Sequence, residues 1–201
     1  MSDLWLIAGL GNPGPRYATT RHNLGYFVAD ELAARAGCGF AQRADGRALA
    51  AAIRLGTGPG GVPGPRAVLA KPVSYMNRSG GPVSQLLQYF GVDPTNLIVV
   101  HDDLDLPPFE LKLKRGGGEG GHNGLKDISK AVGTRDYIRV RAGIGRPPGG
   151  QNPADYVLGP FPTSQNQAVA TQVQRAAEAV QAIVTRGLEA AQLEFHTKDQ
   201  P

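Results

Sequence analysis

Cysteine is nearly absent from this chain, which has one among its 201 residues. A single thiol excludes an internal disulfide framework and a zinc site built from cysteines. Cys38 lies between two glycines at the end of a predicted helix, and we interpret it as a small buried thiol rather than a nucleophile. A reducing, cytoplasmic location is therefore the expectation.

Long apolar runs are also missing. No stretch of about 18 apolar residues occurs, so the sequence predicts no transmembrane helix. The residues Met1-Ser2-Asp3 lead directly into an apolar strand without a basic segment, and we expect no signal peptide. No serine occupies a G-x-S-x-G elbow and the lone cysteine belongs to no motif, so covalent catalysis has no obvious agent, and an activated water molecule is the expected nucleophile of any catalytic site.

The composition that is present fits one ordinary domain. A chain of 201 residues with 41% hydrophobic content is long enough to bury a core of its own. Its net charge of +4 is a weak sign of a polyanionic partner, and a soluble protein with a basic surface remains the simpler explanation.

Apolar runs and helical spacings alternate along the chain. The runs predict strands at 4–8, 48–55, 67–70, 97–100, 111–114 and 137–141, and the spacings predict helices at 24–32, 83–90, 164–184 and 188–195. This interleaving predicts a single three-layer α/β domain over residues 1–195, followed by a flexible tail at 196–201.

Three local patterns lead to more specific expectations. The Gly- and Pro-rich stretch 56–65 is typical of a mobile hairpin tip. Ser164 and Gln167 resemble a capping box that opens the third helix. The last strand, 137–141, repeats the half-exposed alternation of 111–114.

The segment 9–14 matches the G-x-G-x-x-G pattern of dinucleotide-binding folds. Such a site needs backbone N–H groups and a helix that starts at once, whereas Pro13 and Pro15 each lack an N–H. The helical spacing begins only near His22. We therefore interpret these glycines as shaping a tight turn that presents Asn12.

Four separated loops carry polar side chains in backbone rich in glycine or proline, at 9–23, 75–77, 101–105 and 116–124. Each follows an apolar run or leads into a helical pattern. Because α/β folds place their sites in strand-end loops, the four loops together predict one pocket that holds histidine, carboxylate and asparagine side chains.

Within this pocket His22 is the candidate general base, since a neutral imidazole suits that role near pH 7. Asp102, at the end of a neighbouring strand, is the candidate partner that stabilises the charged imidazole, while strand alternation directs Asp103 to the opposite side. The alternative is that His22 caps a helix or lies on the surface.

Asn12, Asn77 and Asn123 can bind amide or carbonyl groups of a substrate or donate to an oxyanion. The alternative is that each asparagine serves only its own turn. The run 101–105 also allows a metal site, but it has no spaced partner motif, and we expect no metal and no other cofactor.

Basic side chains alternate along two predicted strands. Lys112 and Lys114 share one face of the first, and Arg139 and Arg141 share one face of the second. These stripes suit nucleic-acid phosphates, and a solvated basic face is the equally good alternative.

The motifs taken in order resemble the bacterial peptidyl-tRNA hydrolase family over nearly the whole chain. The resemblance rests on Tyr17 and on the segments 9–14, 20–23, 71–72, 75–80, 101–107, 116–118, 120–125 and 141–145. It implies a monomeric α/β domain with a mixed, twisted sheet between helices. It also implies cleavage of the ester that joins a peptide to the terminal ribose of tRNA, which recycles tRNA from aborted translation.

The resemblance assigns roles residue by residue. His22 matches the family's catalytic base, Asp102 the supporting carboxylate, and Asn12 the residue that distinguishes N-blocked from free aminoacyl-tRNA. The positions that match the family's substrate- and tRNA-binding residues are Tyr17, Tyr75, Met76, Asn77, Asn123, Lys112, Lys114 and Arg141.

The chain departs from the family pattern at Asp103, Phe109-Glu110, Glu119 and Tyr75, none of which removes a catalytic group. A non-enzymatic RNA-binding role is the main alternative, and the intact set of His22, Asp102, Asn12 and Asn77 favours the enzyme. A metal hydrolase and a dinucleotide-binding enzyme are weaker alternatives.

Overall fold

The computed structural model describes residues 4–196. Its strands are β1 (Trp5–Gly9), β2 (Ala41–Arg43), β3 (Ala48–Arg54), β4 (Arg66–Pro72), β5 (Leu97–Asp103), β6 (Leu111–Arg115) and β7 (Ile138–Gly143). Its α-helices are α1 (Leu24–Arg35), α2 (Gly80–Phe90), α3 (Asn123–Val132), α4 (Pro153–Val157), α5 (Asn166–Arg186) and α6 (Leu188–His196).

All of these strands form one mixed sheet in the order β2-β3-β4-β1-β5-β7-β6. Strands β4, β1, β5 and β7 run parallel, and β3 and β6 pair antiparallel with β4 and β7. Helices α1, α5 and α6 pack on one face, while α2 and α3 pack on the other. The predicted α/β domain with a mixed sheet between helices is confirmed.

The parallel strands place the carboxyl ends of β1, β4 and β5 along one edge of the sheet. β1 and β5 are apolar runs whose alternate side chains enter the two cores, with Ile7 on the α1 side and Leu6 on the α2 side. The loops after these three strands therefore meet, although they lie far apart in the sequence.

Two glycines allow helix α1 to begin against the end of β1. A Cβ atom on Gly25 would lie 2.3 Å from the backbone nitrogen of Leu10, and one on Gly9 would lie 2.2 Å from the carbonyl oxygen of Gly25. The backbone N–H of Tyr26 donates to the Leu10 carbonyl across this contact. The G-x-G pattern thus serves close helix packing, which brings His22 beside β5.

The predicted capping box is wrong. Ser164 lies in a short 3-10 turn at Thr163–Gln165, and α5 begins at Asn166 with no side chain capping its first turn. Because that turn precedes the helix, Gln167 is the second residue of α5 and does not occupy the N3 position that a capping box requires.

The predicted half-exposure of the last strand is also wrong. β7 lies between β5 and β6, where both of its faces are covered, and Arg139 is only 3% exposed. Its guanidinium donates to the carbonyls of Gly117 and Gly118. A basic side chain in an interior strand is tolerated here because it finds carbonyl partners in the glycine-rich loop.

Strand β2 and helices α3 and α4 were not predicted, because they are short or begin within glycine-rich sequence. His196, which we placed in the tail, is instead the last residue of α6, and its Nε2 accepts a hydrogen bond from the Leu113 backbone at 2.8 Å. The rest of the predicted tail lies outside the described residues.

Cys38 is half-buried and donates to the Ala33 carbonyl. The mobility of loop 56–65 stays a prediction.

Candidate active site

A cleft of about 610 Å³ opens at the carboxyl edge of the sheet. Its walls include most of the residues predicted for the pocket, namely Asn12, Tyr17, His22, Tyr75, Met76, Asn77, Asp102 and Asn123. The four polar loops thus form one cavity. Lys112, Lys114 and Arg141 do not line it.

His22 and Asp102 form the central contact of this cleft. The Nδ1 atom of His22 lies 2.9 Å from Oδ1 and 3.0 Å from Oδ2 of Asp102, so the imidazole donates to both carboxylate oxygens. Asp102 is 2% exposed, and the side chain of His22 is 12% exposed. Because Nδ1 carries the proton, Nε2 is the ring nitrogen with a lone pair to offer to the cleft.

The pair alters the acidity of both groups. Burial alone would lower the pKa of His22, but the charge of Asp102 and its hydrogen bond outweigh burial and raise that pKa above its ordinary value. Burial alone would raise the pKa of Asp102, but the charge of His22 and the bonds from His122 and His22 hold it below its usual range. The carboxylate is therefore ionised whenever His22 titrates.

A second histidine, His122, binds the same carboxylate. Its Nε2 lies 3.1 Å from Oδ1 of Asp102, and its Nδ1 accepts a hydrogen bond of 3.3 Å from the Leu125 backbone as the N-cap of α3. The contact with Asp102 was not predicted, because it joins residues that are 20 positions apart in the sequence. The available signal was the position of His122 within the polar loop 116–124.

The third histidine of the cluster is structural. His101 is 2% exposed, and its Nδ1 donates to the Asp102 carbonyl at 2.7 Å. Burial, followed by the charge of His122, lowers the pKa of His101 to about 3. Its ring meets that of His122 edge-on, with 4.9 Å between centroids, so it supports the cluster as a neutral group.

Within residues 4–196, the potential ligand atoms of His22, Asp102 and His122 lie within 4.8 Å of one another. A metal ligand needs a free lone pair. The hydrogen bond from Leu125 places the proton of His122 on Nε2, the nitrogen that faces Asp102. This donor set fits a hydrogen-bonded network better than a metal centre.

Asn12 is held rigidly in the cleft wall. Its backbone N–H donates to Oδ1 of Asn23 at 2.8 Å, and its carbonyl accepts from Nδ2 of Asn23 at 3.0 Å. Its side-chain Oδ1 accepts from the Met76 backbone at 2.7 Å. Because that oxygen is engaged, the amide offers Nδ2, a hydrogen-bond donor, to a ligand. Asn23 belongs to the recognised motif, but its support of Asn12 was missed.

Among the remaining predicted cleft residues, Met76 is buried, and the other four are partly or fully exposed at the mouth of the cleft. Tyr17 and Tyr75 meet edge-to-face with centroids 6.3 Å apart, and Tyr75 is 58% exposed. Asn77 lies in a 3-10 turn after β4, and Asn123 is the first residue of α3. Both asparagines are exposed, so their amides are accessible from solvent.

The basic residues lie outside the cleft and differ in their accessibility. Lys112 pairs with Arg141, and Lys114 with Arg139, across β6 and β7, so all four share one face of the sheet as predicted. Only the two lysines are exposed. The Arg141 guanidinium donates to the Asp103 carboxylate at 2.7 Å, so the charge of Arg141 is already paired within the protein.

Comparison of the sequence with known proteins identifies one family. Residues 6–201 match a family model described as peptidyl-tRNA hydrolase. The peptidyl-tRNA hydrolase of Kineococcus radiotolerans is 57% identical over 98% of both chains, and that of Pseudarthrobacter chlorophenolicus is 53% identical over 98% of this chain and 97% of the relative.

A solved structure agrees with these relatives. The crystal structure of peptidyl-tRNA hydrolase from Acinetobacter baumannii superposes with a TM-score of 0.83 at 33% identity, covering 97% of this chain and 95% of that one. Among the helices of residues 4–196, none combines the length and the apolar character that a membrane span requires. The chain belongs to the peptidyl-tRNA hydrolase family and is an enzyme that hydrolyses peptidyl-tRNA.

Proposed function

We propose that His22 is the general base of this hydrolysis and that Asp102 supports it. The observation that carries the proposal is the bond from Nδ1 of His22 to the buried carboxylate, which leaves Nε2 as the basic nitrogen of the cleft. Nε2 takes a proton from a water molecule while the water oxygen attacks the ester carbonyl.

The tetrahedral intermediate then collapses with cleavage of the bond between the carbonyl carbon and the ribose oxygen. The proton held by His22 passes to that oxygen, so the products are a free carboxylic acid and a ribose hydroxyl. Asp102 stabilises the imidazolium between these steps by its charge.

Asn12 is proposed to distinguish an N-blocked peptide from a free amino acid. Its Oδ1 is engaged by the Met76 backbone, so Nδ2 faces the substrate as a donor. A donor binds the carbonyl of the amide that blocks the amino group, whereas it has no bond to offer a free ammonium group.

Replacing Asn12 with aspartate tests this role, because it substitutes an acceptor for the donor. We expect kcat/KM for N-acetyl-aminoacyl-tRNA to fall roughly 10–100-fold, since an unsatisfied polar partner costs ~1–3 kcal/mol. Cleavage of the same tRNA with a free amino acid is measured beside it, with a chelator present.

The matched control is Asn152→Asp. It adds the same charge next to the cleft wall, and its side-chain oxygen can still cap the Ala154 backbone. This control is expected to retain the preference for the blocked substrate. An unchanged preference in Asn12→Asp would remove Asn12 from substrate discrimination.

We further propose that Tyr17, Tyr75, Met76, Asn77 and Asn123 bind the acceptor end of tRNA and the peptide, since they line the cleft around His22. Lys112, Lys114 and Arg141 are proposed to bind tRNA phosphates. The exposed lysines carry most of this attraction, because Arg141 already has Asp103 as its partner.

The double variant Lys112→Ala/Lys114→Ala is expected to weaken tRNA binding and to lower the slope of log K against log salt by about one per lost phosphate contact. Binding is measured across a salt series. Arg43→Ala is the control, because Arg43 is exposed on β2 at the far edge of the sheet. A double variant with the unchanged slope would contradict the assignment.

The enzyme is also proposed to act as a monomer in the cytoplasm, without metal, cofactor or obligate protein partner. His22, Asp102 and Asn12 lie in the cleft of one chain, so the proposed chemistry needs no residue from a second copy. The substrate, peptidyl-tRNA, arises where translation takes place.

A further inference from the structure

His122 occupies a position from which it acts on the catalytic pair without reaching the cleft nitrogen itself. Its Nε2–H donates to Oδ1 of Asp102 at 3.1 Å, the same oxygen that lies 2.9 Å from His22. The two imidazole rings are close, with 5.0 Å between centroids. One buried carboxylate therefore accepts from two histidines at once.

The direction of the hydrogen bond between His122 and Asp102 is determined by a backbone contact. The N–H of Leu125 donates to Nδ1 of His122, so this nitrogen must carry a lone pair and Nε2 must carry the proton. His122 is consequently a fixed donor to Asp102. A hydrogen bond to a carboxylate spreads its negative charge and weakens its hold on other protons.

We propose that His122 is a positioning residue for the proposed hydrolysis and acts through Asp102. By sharing the carboxylate, His122 limits how strongly Asp102 stabilises the protonated, positively charged form of His22. This inference rests on the proposed role of His22 as the general base. A base that held its proton too tightly would be blocked near neutral pH, so the shared bond keeps His22 available.

Other ionisable groups near His22 have partners other than His122, except His101, whose ring meets that of His122. They are Arg21, Tyr17, Tyr75, His101, Asp103 and Glu119. Asp103 binds Arg141, and Glu119 binds Arg135 at 2.7 Å. Arg21 donates to the Tyr156 carbonyl and lies over its ring. None of these hydrogen bonds or ion pairs involves His122, so a change at that position leaves them in place.

Two variants separate the bond to Asp102 from the capping of α3. His122→Asn retains a strong N-cap residue, but its side chain is too short to reach Asp102. His122→Gln retains an amide N–H of similar reach and can still donate to the carboxylate. If His122 only capped the helix, asparagine would be the milder change.

The test is the titration of His22 by NMR in tRNA-free protein, with labelled histidine and the His22 signal assigned from a His22→Ala sample. We expect His122→Asn to raise the titration midpoint by up to about one pH unit, and His122→Gln to remain near the wild-type value. Asp102→Asn is expected to shift it the other way.

The pH dependence of kcat/KM for N-acetyl-aminoacyl-tRNA is measured on the same variants. In His122→Asn the acidic limb moves to higher pH. At pH values below the midpoint of that limb kcat/KM therefore falls up to about tenfold, while its value on the high-pH plateau is retained. An unchanged or lowered His22 midpoint in His122→Asn overturns the inference. The titration needs no turnover, so its result stands apart from any failure of the proposed hydrolysis mechanism.

Discussion

Replacing His22 with alanine is expected to lower the rate of peptidyl-tRNA cleavage about 10²–10⁴-fold, the usual contribution of a positioned general base. The water molecule then lacks the basic Nε2, while Asp102 keeps its donor from His122 and the cleft keeps its shape. Single-turnover cleavage of N-acetyl-aminoacyl-tRNA at saturating enzyme measures this loss independently of tRNA affinity.

His196→Ala is the matched control, because it removes a histidine that lies outside the cleft. His196 accepts from the Leu113 backbone, so its loss is expected to lower thermal stability but to leave the cleavage step intact. Circular dichroism and the melting temperature verify that His22→Ala is folded. Equal single-turnover rates in His22→Ala and wild type would exclude His22 as the base.

Asp102→Asn is expected to reduce the rate by roughly 10²–10⁴-fold and to move the acidic limb of the pH profile to lower pH. The wild-type limb reports the pKa of His22, which Asp102 raises, and only the neutral imidazole acts as the base. Activity therefore rises as pH increases through a midpoint above the ordinary histidine value.

The direction of the shift follows from removing the charge. With a neutral amide at position 102, burial acts on His22 without the opposing carboxylate, so its pKa falls and the limb follows. The expected displacement is about 1–3 pH units, typical of a close opposite charge. Asp103→Asn is the control, since that carboxylate binds Arg141. A limb that stayed in place in Asp102→Asn would show that it reports another group.

Much of the architecture could be predicted from local patterns in the chain. Leu97–Val100 is a continuous apolar run, and such a run in an α/β sequence fits an interior parallel strand. Gly91 ends α2 in the left-handed conformation, as a glycine after helical spacing suggests. These features depend on neighbours in sequence, so they can be read without knowing the fold.

The errors arose where distant contacts override a local pattern. Arg139 alternates like a surface residue, yet it is buried because β7 is interior and the glycine-rich loop supplies carbonyl acceptors. His196 follows the last apolar spacing, yet it belongs to α6 and binds the edge strand β6 at Leu113. Neither partner is visible within the window that defines the pattern.

The amino-acid sequence by itself determined the α/β class, the family and the identity of the groups in the cleft, among them His22, Asp102 and Asn12. The tertiary structure alone decided which atoms of these groups meet: His122 shares the Asp102 carboxylate, Asn23 binds the Asn12 backbone, and the Met76 N–H binds Oδ1 of Asn12. The reason is physical. Hydrogen-bond direction and proton position depend on which atoms meet, and the parallel strands bring together residues separated by tens of positions.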